Sequence, residues 1–334
     1  MSAERNGPLA PDEVEPLLAP YVGPGSPGAV LAVSGGPDSV ALMRLAAPLR
    51  RAPLVVATVD HGLRPESHAE AETVAGWAAA VGLPHRILTW DGDKPGSGVQ
   101  EAARAARYRL LTRLAREVGA PFVLTAHHRD DQAETVLMRL ARGSGPAGLS
   151  GMRRETDRDG AVLARPFLDL AKARLVATCR AHGWPFLDDP SNADPRFART
   201  RMRALLPALA AEGLTAERLA ILAERMRRAD AALDARAASV LAAVAAEEGG
   251  DLVIDAGELG GEPAEIVLRV LAAAIGRVAP RGEADPVRLE RLEELTKSFL
   301  AAEGRFAATL GGAWLTLDGS RLRIRPEPPR RASR

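Results

Sequence analysis

The sequence has 334 residues, of which 46% are hydrophobic and 26% charged, and its formal net charge at pH 7 is +1. That is enough chain for two domains with cores of their own, and the composition excludes a disordered or fibrous protein. Near-neutral charge gives no global pull toward nucleic acid, and a single cysteine, Cys179, excludes an intrachain disulfide and a cysteine-rich metal cage; no apolar run reaches membrane-spanning length, so a cytoplasmic protein is expected.

Taken in order, residues 1–20 read as a leader with a short helix near 11–18. Residues 29–33 (AVLAV) are a buried strand, and Ser34-Gly35-Gly36-Pro37-Asp38-Ser39 follows at once, before a helical pattern that ends near Arg51. Two glycines let the backbone turn with its N–H groups inward, and the helix start adds partial positive charge; strand, loop and helix together make an anion site. No Gly-Lys-Ser/Thr follows, so this is not a Walker A loop. Without that lysine it suits a departing pyrophosphate better than γ-phosphate transfer.

Further strands are expected at 54–60, 85–90 and 121–125, and helices at 67–81, 99–118 and 130–142. Residues 143–152, with four glycines, read as a flexible loop, 161–166 as another strand and 170–182 as a helix. Beyond Arg201 the chain turns alanine-rich. Residues 214–248 are helical throughout, 262–279 and 286–302 form two more helices, and 306–326 alternate as a small β-meander broken by Gly311-Gly312 and Asp318-Gly319. The fold class is therefore α/β, a doubly wound, mostly parallel sheet followed by a mainly helical domain that ends in β-strands. A boundary near Pro207 divides a catalytic domain, 21–207, from a second domain, 208–334.

In such a sheet ligands sit at the carboxyl ends of the strands, where 34–39, 60–64 and 127–134 all fall. Within His127-His128-Arg129-Asp130-Asp131-Gln132-Ala133-Glu134, Asp131 and Glu134 are three apart and share one helix face. Two carboxylates beside bound phosphate can hold Mg2+ or an amine; taken alone, aspartates here serve equally well as a helix cap. His61 ends the second strand, either as a ligand contact or as a hydrogen-bonded structural histidine. Glu101, Arg104 and Arg107 recur on one face of helix 99–118, which either aims guanidinium groups at a phosphate or forms a solvated, ion-paired surface. From Arg139 to Arg203 there are 13 Lys and Arg against 7 Asp and Glu, a stretch suited to nucleic-acid phosphates, although with three lysines in the whole chain arginine is also its default surface cation.

Ser-Gly-Gly-x-Asp-Ser after a strand resembles the pyrophosphate loop of the N-type ATP pyrophosphatases. Together, and in this order, the motifs at 34–39, 59–64, 101–108, 125–152 (TAHHRDDQAETVLMRLARGSGPAGLSGM) and 189–192 resemble the tRNA(Ile)-lysidine synthetase family. The resemblance implies a Rossmann-like PP-loop domain that uses ATP and Mg2+ in two steps. ATP adenylates the C2 oxygen of the wobble cytidine in the CAU anticodon of tRNA(Ile); free L-lysine then attacks C2 through its ε-amine and expels AMP, leaving lysidine. It further implies ATP binding by Ser34, Gly35, Gly36, Pro37, Asp38, Ser39 and His61, with Asp38 also reaching Mg2+ or the cytosine. Asp131 and Glu134 would bind lysine and help remove its proton, Arg107 and Arg199 would stabilise charge on the α-phosphate, and Arg142, Arg201 and Arg203 would contact tRNA. Residues 143–151 would form a lid over the extruded base. Thr200 is a departure, because the family often has asparagine there. The C-terminal region is short and carries little motif content, and a homodimer is left open.

Three rival readings remain on the residues themselves. A tRNA thiolase on the same ATP-binding domain generally needs paired cysteines or an iron–sulfur cluster, and here finds Cys179 alone, in a helical segment away from every motif. An amidotransferase-like ATP pyrophosphatase would act on a small molecule without RNA. A non-enzymatic RNA-binding protein would keep the nucleotide fold without the turnover.

Overall fold

A computed structural model describes residues 7–92, 94–95, 98–188, 196, 198–279 and 287–328. Two compact units result, Met1–Met226 and Arg227–Arg334. The segment 189–192 singled out above lies outside the described residues.

The first unit begins with α1 (Pro11–Val22), which is no detached leader. Its Val14, Leu18, Tyr21 and Val22 are buried in the same core as the central strand. Glu13 receives the Arg174 guanidinium through two contacts, at 2.7 and 2.9 Å, which staples the N-terminal segment to the body. Then β1 (Ala29–Ala32), α2 (Pro37–Leu49), β2 (Leu54–Asp60), α3 (Ser67–Ala80), β3 (His85–Thr89), α4 (Val99–Glu117), β4 (Phe122–Leu124) and α5 (Arg129–Leu140) alternate as expected. After them come a single turn α6 (Pro146–Leu149), the hairpin β5 (Glu155–Arg158) and β6 (Ala161–Ala164), α7 (Lys172–Ala181) and α8 (Ala198–Ala211).

The sheet order is β3-β2-β1-β4-β6-β5, parallel except for the antiparallel edge strand β5. β1 is buried on both faces, which is why it reads as an unbroken apolar run. Its period-2 geometry sends Ala29 and Leu31 into one core with α1 and α2, and Val30 and Ala32 into another with Tyr108, Leu111 and Leu114 of α4. Truncating fully buried Leu31 to alanine would cost about 2–5 kcal/mol. Since β2 lies on one side of β1 and β4 on the other, the strand order reverses at β1, and the chain opens a crevice at its carboxyl end.

The expected boundary at Pro207 falls inside α8. Met202, Leu206 and Leu209 of that helix pack on Ala133, Val136 and Leu137 of α5, so α8 belongs with the first unit and the division comes at Met226.

The long helix α9 (Ala216–Val244) leads into the second unit. There β7 (Ala245–Glu248), β8 (Asp251–Asp255), α10 (Ala256–Gly260), α11 (Ala264–Val278), α12 (Leu289–Leu300), β9 (Arg305–Leu310), β10 (Ala313–Asp318) and β11 (Arg321–Pro326) follow. The expected meander β9-β10-β11 is present, but it is part of a five-stranded antiparallel sheet in the order β7-β8-β11-β10-β9. Residues 245–248, expected to be helical, are a strand instead. Gly249 and Gly250 both take positive φ (61° and 88°), as a two-residue hairpin turn requires, and fold Ala245–Glu248 back onto β8. Val267, Val270, Leu271 and Ala274 of α11 close the core against Leu315, Leu322 and Ile324 of this sheet. Among the described residues no helix is long and apolar enough to cross a membrane.

Candidate active site

The crevice is floored by the loop after β1. Gly35 sits at φ +91°, and its carbonyl accepts the Leu187 N–H at 2.9 Å. Ser39 Oγ donates to the Gly36 carbonyl at 2.9 Å and accepts the Ser34 N–H at 3.2 Å, so the loop is tied across by its own last residue. Helix α2 starts immediately, with Gly36 as its cap and Pro37 in its first turn. The unsatisfied N–H groups of that turn are available to a negative ligand.

Beside the loop stands the start of α5, and what joins the two is His128. As the N-cap residue it accepts the Asp131 N–H on Nδ1 at 3.3 Å, which leaves Nε2 as the protonated nitrogen. Nε2 lies 3.4 Å from Asp38 Oδ2 and 3.4 Å from Asp131 Oδ2. Burial alone would lower the His128 pKa; the hydrogen bond to Asp38 and the charges of Asp131, Asp38 and Asp130 outweigh it and raise the value. Asp131 moves the other way. Burial pushes its pKa up, but the neighbouring His128, His127 and Arg199, with the His128 backbone N–H, together hold it below the usual carboxylate range. Lys172 adds a positive end, its Nζ 4.0 Å from Asp38 and its backbone N–H on Asp130 at 2.9 Å.

Glu134, one turn along α5, is fully buried. Arg203 Nε donates to its Oε1 at 2.7 Å, and Arg199 Nε lies 3.3 Å from Oε2, both reaching across from α8. Complete burial raises the Glu134 pKa despite these two partners. For Arg203, about a third exposed and therefore less desolvated, the same pairing raises the pKa and keeps the guanidinium charged.

Two cavities meet over the loop. One, of about 810 Å3, is walled by Asp38, Arg104, Arg107, His128, Asp131, Arg199 and Arg203. The other, of about 580 Å3, lies toward β2 and includes Val33, Val59 and His61; both share Ser34, Gly36 and Arg107. The His61 ring stands edge-on to Trp90 with centroids 6.1 Å apart, and its buried Nδ1 has no hydrogen-bond partner among the described residues. Burial, followed by the charge of Arg107, lowers its pKa.

The structure thus gathers the loop residues, Asp38, Arg107, Asp131, Glu134 and Arg199 as the sequence predicted, with His61 next door. Arg142 and Arg201 are apart from both cavities and exposed. Arg203, expected to face tRNA with them, turns inward onto Glu134. Residues 143–151 are not a loose lid: Gln132 exchanges hydrogen bonds with the Met152 backbone at 2.6 and 3.0 Å, and Arg139 donates to the carbonyls of Gly148 and Gly151. Cys179 is not remote either. Because α7 packs on α2, its Sγ–H donates to the Pro37 carbonyl at 3.3 Å, and burial pushes the thiol pKa up to about 11, far from a reactive thiolate. Sequence reasoning missed His128, Lys172 and Gln132; the one signal for Lys172 was the scarcity of lysine in an arginine-rich chain.

As to a metal, Asp38 Oδ1 is buried and has no hydrogen-bond partner among the described residues. One free carboxylate oxygen fits the way Mg2+ is held in nucleotide sites, by one or two carboxylates and the substrate's phosphates. Among the described residues no group of three or more His, Cys, Asp or Glu could hold a metal by itself.

Comparison with known proteins agrees with this geometry. The PP-loop domain family matches residues 12–209. A solved U34-tRNA thiolase from Methanococcus maripaludis superposes with a TM-score of 0.54 at 14% identity, over 64% of this chain and 78% of that one, a likeness of fold alone. Fold and site define a PP-loop domain, and with it the use of ATP. The tRNA(Ile)-lysidine synthase of Methylobacterium nodulans is 59% identical over 97% of this chain and 98% of its own length. That of a Methylobacterium sp. strain is 57% identical over 98% and 97%, and that of Rhodopseudomonas palustris 52% over 92% of each. The chain belongs to the tRNA(Ile)-lysidine synthase family.

Proposed function

We propose that this chain ligates L-lysine to C2 of the wobble cytidine of tRNA(Ile), with ATP split to AMP and pyrophosphate. The observation that carries this reading is the 810 Å3 cavity in which the phosphate loop, the carboxylates of Asp38 and Asp131, and Arg104, Arg107, Arg199 and Arg203 meet. Adenosine would lie in the smaller cavity against Val33, Val59 and His61, with the β- and γ-phosphates on the Ser34–Ser39 loop and the α-phosphate facing Arg107 and Arg199. Asp38, through Oδ1, would hold Mg2+ with those phosphates, and the ion when bound would neutralise the departing pyrophosphate.

The cytidine C2 oxygen attacks the α-phosphate and pyrophosphate leaves, which turns a poor leaving group into a good one. The lysine ε-amine then attacks C2, and the C2–O bond breaks with release of AMP. The two carboxylates divide the work. Asp131, held ionised by its cationic neighbours, attracts the ammonium by charge. Glu134, whose pKa burial has raised, is the better acceptor for the proton the amine must lose. The base has to leave its stack to enter the cavity, which a single-stranded anticodon loop allows. Arg142 and Arg201, exposed outside the cavity, would contact the tRNA backbone.

Incorporation of labelled lysine into the minor isoleucine tRNA with ATP and Mg2+, followed by mild alkali, tests this. Alkali-stable label, lost when the wobble cytidine is replaced by uridine, is expected. AMP release without RNA would point to the small-molecule reading instead.

A further inference from the structure

The lysine-binding carboxylate is already occupied. Glu134 lines neither cavity, and at that point the wall of the larger one is made by Arg199 and Arg203. Both come from α8, one turn apart, and both carry their guanidinium onto the same fully buried carboxylate. A lysine ammonium cannot join them. Both oxygens of the carboxylate already face a guanidinium group, and a third cation would meet the repulsion of both.

The pairing is also unequal. Oε1 has a short hydrogen bond from Arg203, whereas Oε2 lies within ion-pair range of Arg199 without forming a hydrogen bond. Arg199 divides its attention further, with Nη2 donating weakly to Thr135 Oγ1 at 3.4 Å. The cavity into which these arginines open holds the phosphate loop on its other side. A polyphosphate there carries several charges and offers bidentate acceptors, so it is a better partner for a guanidinium than one shared carboxylate.

We propose that Arg203, assisted by Arg199, is a latch on Glu134 that nucleotide phosphates release, so that lysine is admitted only after the nucleotide is in place. The inference rests on the reading of Glu134 as the lysine site. Arg203 acts through Glu134 and is therefore a positioning residue. Its presence stands in for the substrate's ammonium while the site is empty and keeps a buried carboxylate paired; once it swings to phosphate, the vacated carboxylate accepts the amine. Because coupling between two ligands is reciprocal, lysine must tighten nucleotide binding by the same factor as nucleotide tightens lysine binding.

The test is equilibrium dialysis of labelled lysine against the full chain, with and without α,β-methylene-ATP. Wild-type protein is expected to bind lysine about tenfold or more tightly when the analogue is present, a coupling of at least about 1.4 kcal/mol. Arg203→Gln should bind lysine without nucleotide as tightly as the wild type does with it, and Arg203→Lys, which keeps a cation in place, should restore the nucleotide dependence. Lysine affinity of the wild type that ignores the analogue overturns the latch, as does an Arg203→Gln protein that still depends on it. Glu134→Gln separates the two layers: if that variant binds lysine normally with the analogue, the assignment of the lysine site fails and the latch falls with it.

Discussion

The two glycines of the phosphate loop, adjacent and alike in sequence, should behave in opposite ways when a methyl group is added. At Gly35 the backbone is at φ +91°, where a non-glycine residue pays about 1–2 kcal/mol. A Cβ built there falls 2.6 Å from Leu187 Cδ1 and 3.3 Å from Val74 Cγ2. Leu187 stays at the loop through its N–H bond to the Gly35 carbonyl at 2.9 Å, so its side chain would have to swing aside. Overpacking of this kind adds about 1–3 kcal/mol. Gly35→Ala should therefore destabilise the first unit by roughly 2–5 kcal/mol, which lowers its urea midpoint by about 1–2 M. Gly36 is at φ −67°, and a Cβ there meets nothing closer than Ser34 Oγ at 3.9 Å. Unlike Gly35, however, it lines both cavities. Gly36→Ala should leave the unfolding free energy within about 0.5 kcal/mol and weaken nucleotide binding about tenfold, the equivalent of one lost backbone–phosphate hydrogen bond to a charged group. Urea unfolding and calorimetric titration with α,β-methylene-ATP read the two effects separately. If Gly36→Ala unfolds more easily than Gly35→Ala, or if neither changes nucleotide affinity, the loop geometry argued here is incorrect.

Two further perturbations have definite signs. His127 is kept neutral: burial, with the charges of Arg165, Arg107 and Arg104, pushes its pKa down to about 3 against the pull of Asp131. The unfolded chain protonates there near pH 6.5 and the folded chain does not until about pH 3, so this contribution to stability is complete above pH 6.5 and is lost as the pH falls between those values. His127→Asn should flatten the loss of urea midpoint between pH 7.5 and pH 5; an unchanged profile would show that the acid lability originates elsewhere. Gln132→Leu removes both side-chain bonds to the buried Met152 backbone. The cost should be about 2–4 kcal/mol, and trypsin should cleave at Arg142 or Arg153 faster than in the wild type; equal cleavage rates would mean that Gln132 does not anchor the segment.

The sequence alone determined everything that depends on neighbours along the chain. AVLAV is apolar at every position because β1 is covered on both faces, and Ser34–Ser39 must turn between a strand and a helix, so the anion site was legible in a dozen residues. The placing of all loaded loops at one sheet edge followed from the alternation itself, whereas the order of the strands came only from the structure. Local order also failed in identifiable places. β5, ETDR, is an exposed edge strand with no apolar alternation to mark it, and Ala245–Glu248 has helix-forming residues that pairing with β8 overrides. What the tertiary structure decided is which distant groups meet. His128 bridges Asp38 and Asp131, Arg203 reaches Glu134 across 69 positions, and Cys179 reaches the loop across 142. Charge signs and burial at those meetings set the direction in which the pKa of each carboxylate moves. No local pattern encodes them, because they arise from the packing of α5, α7 and α8 around one crevice.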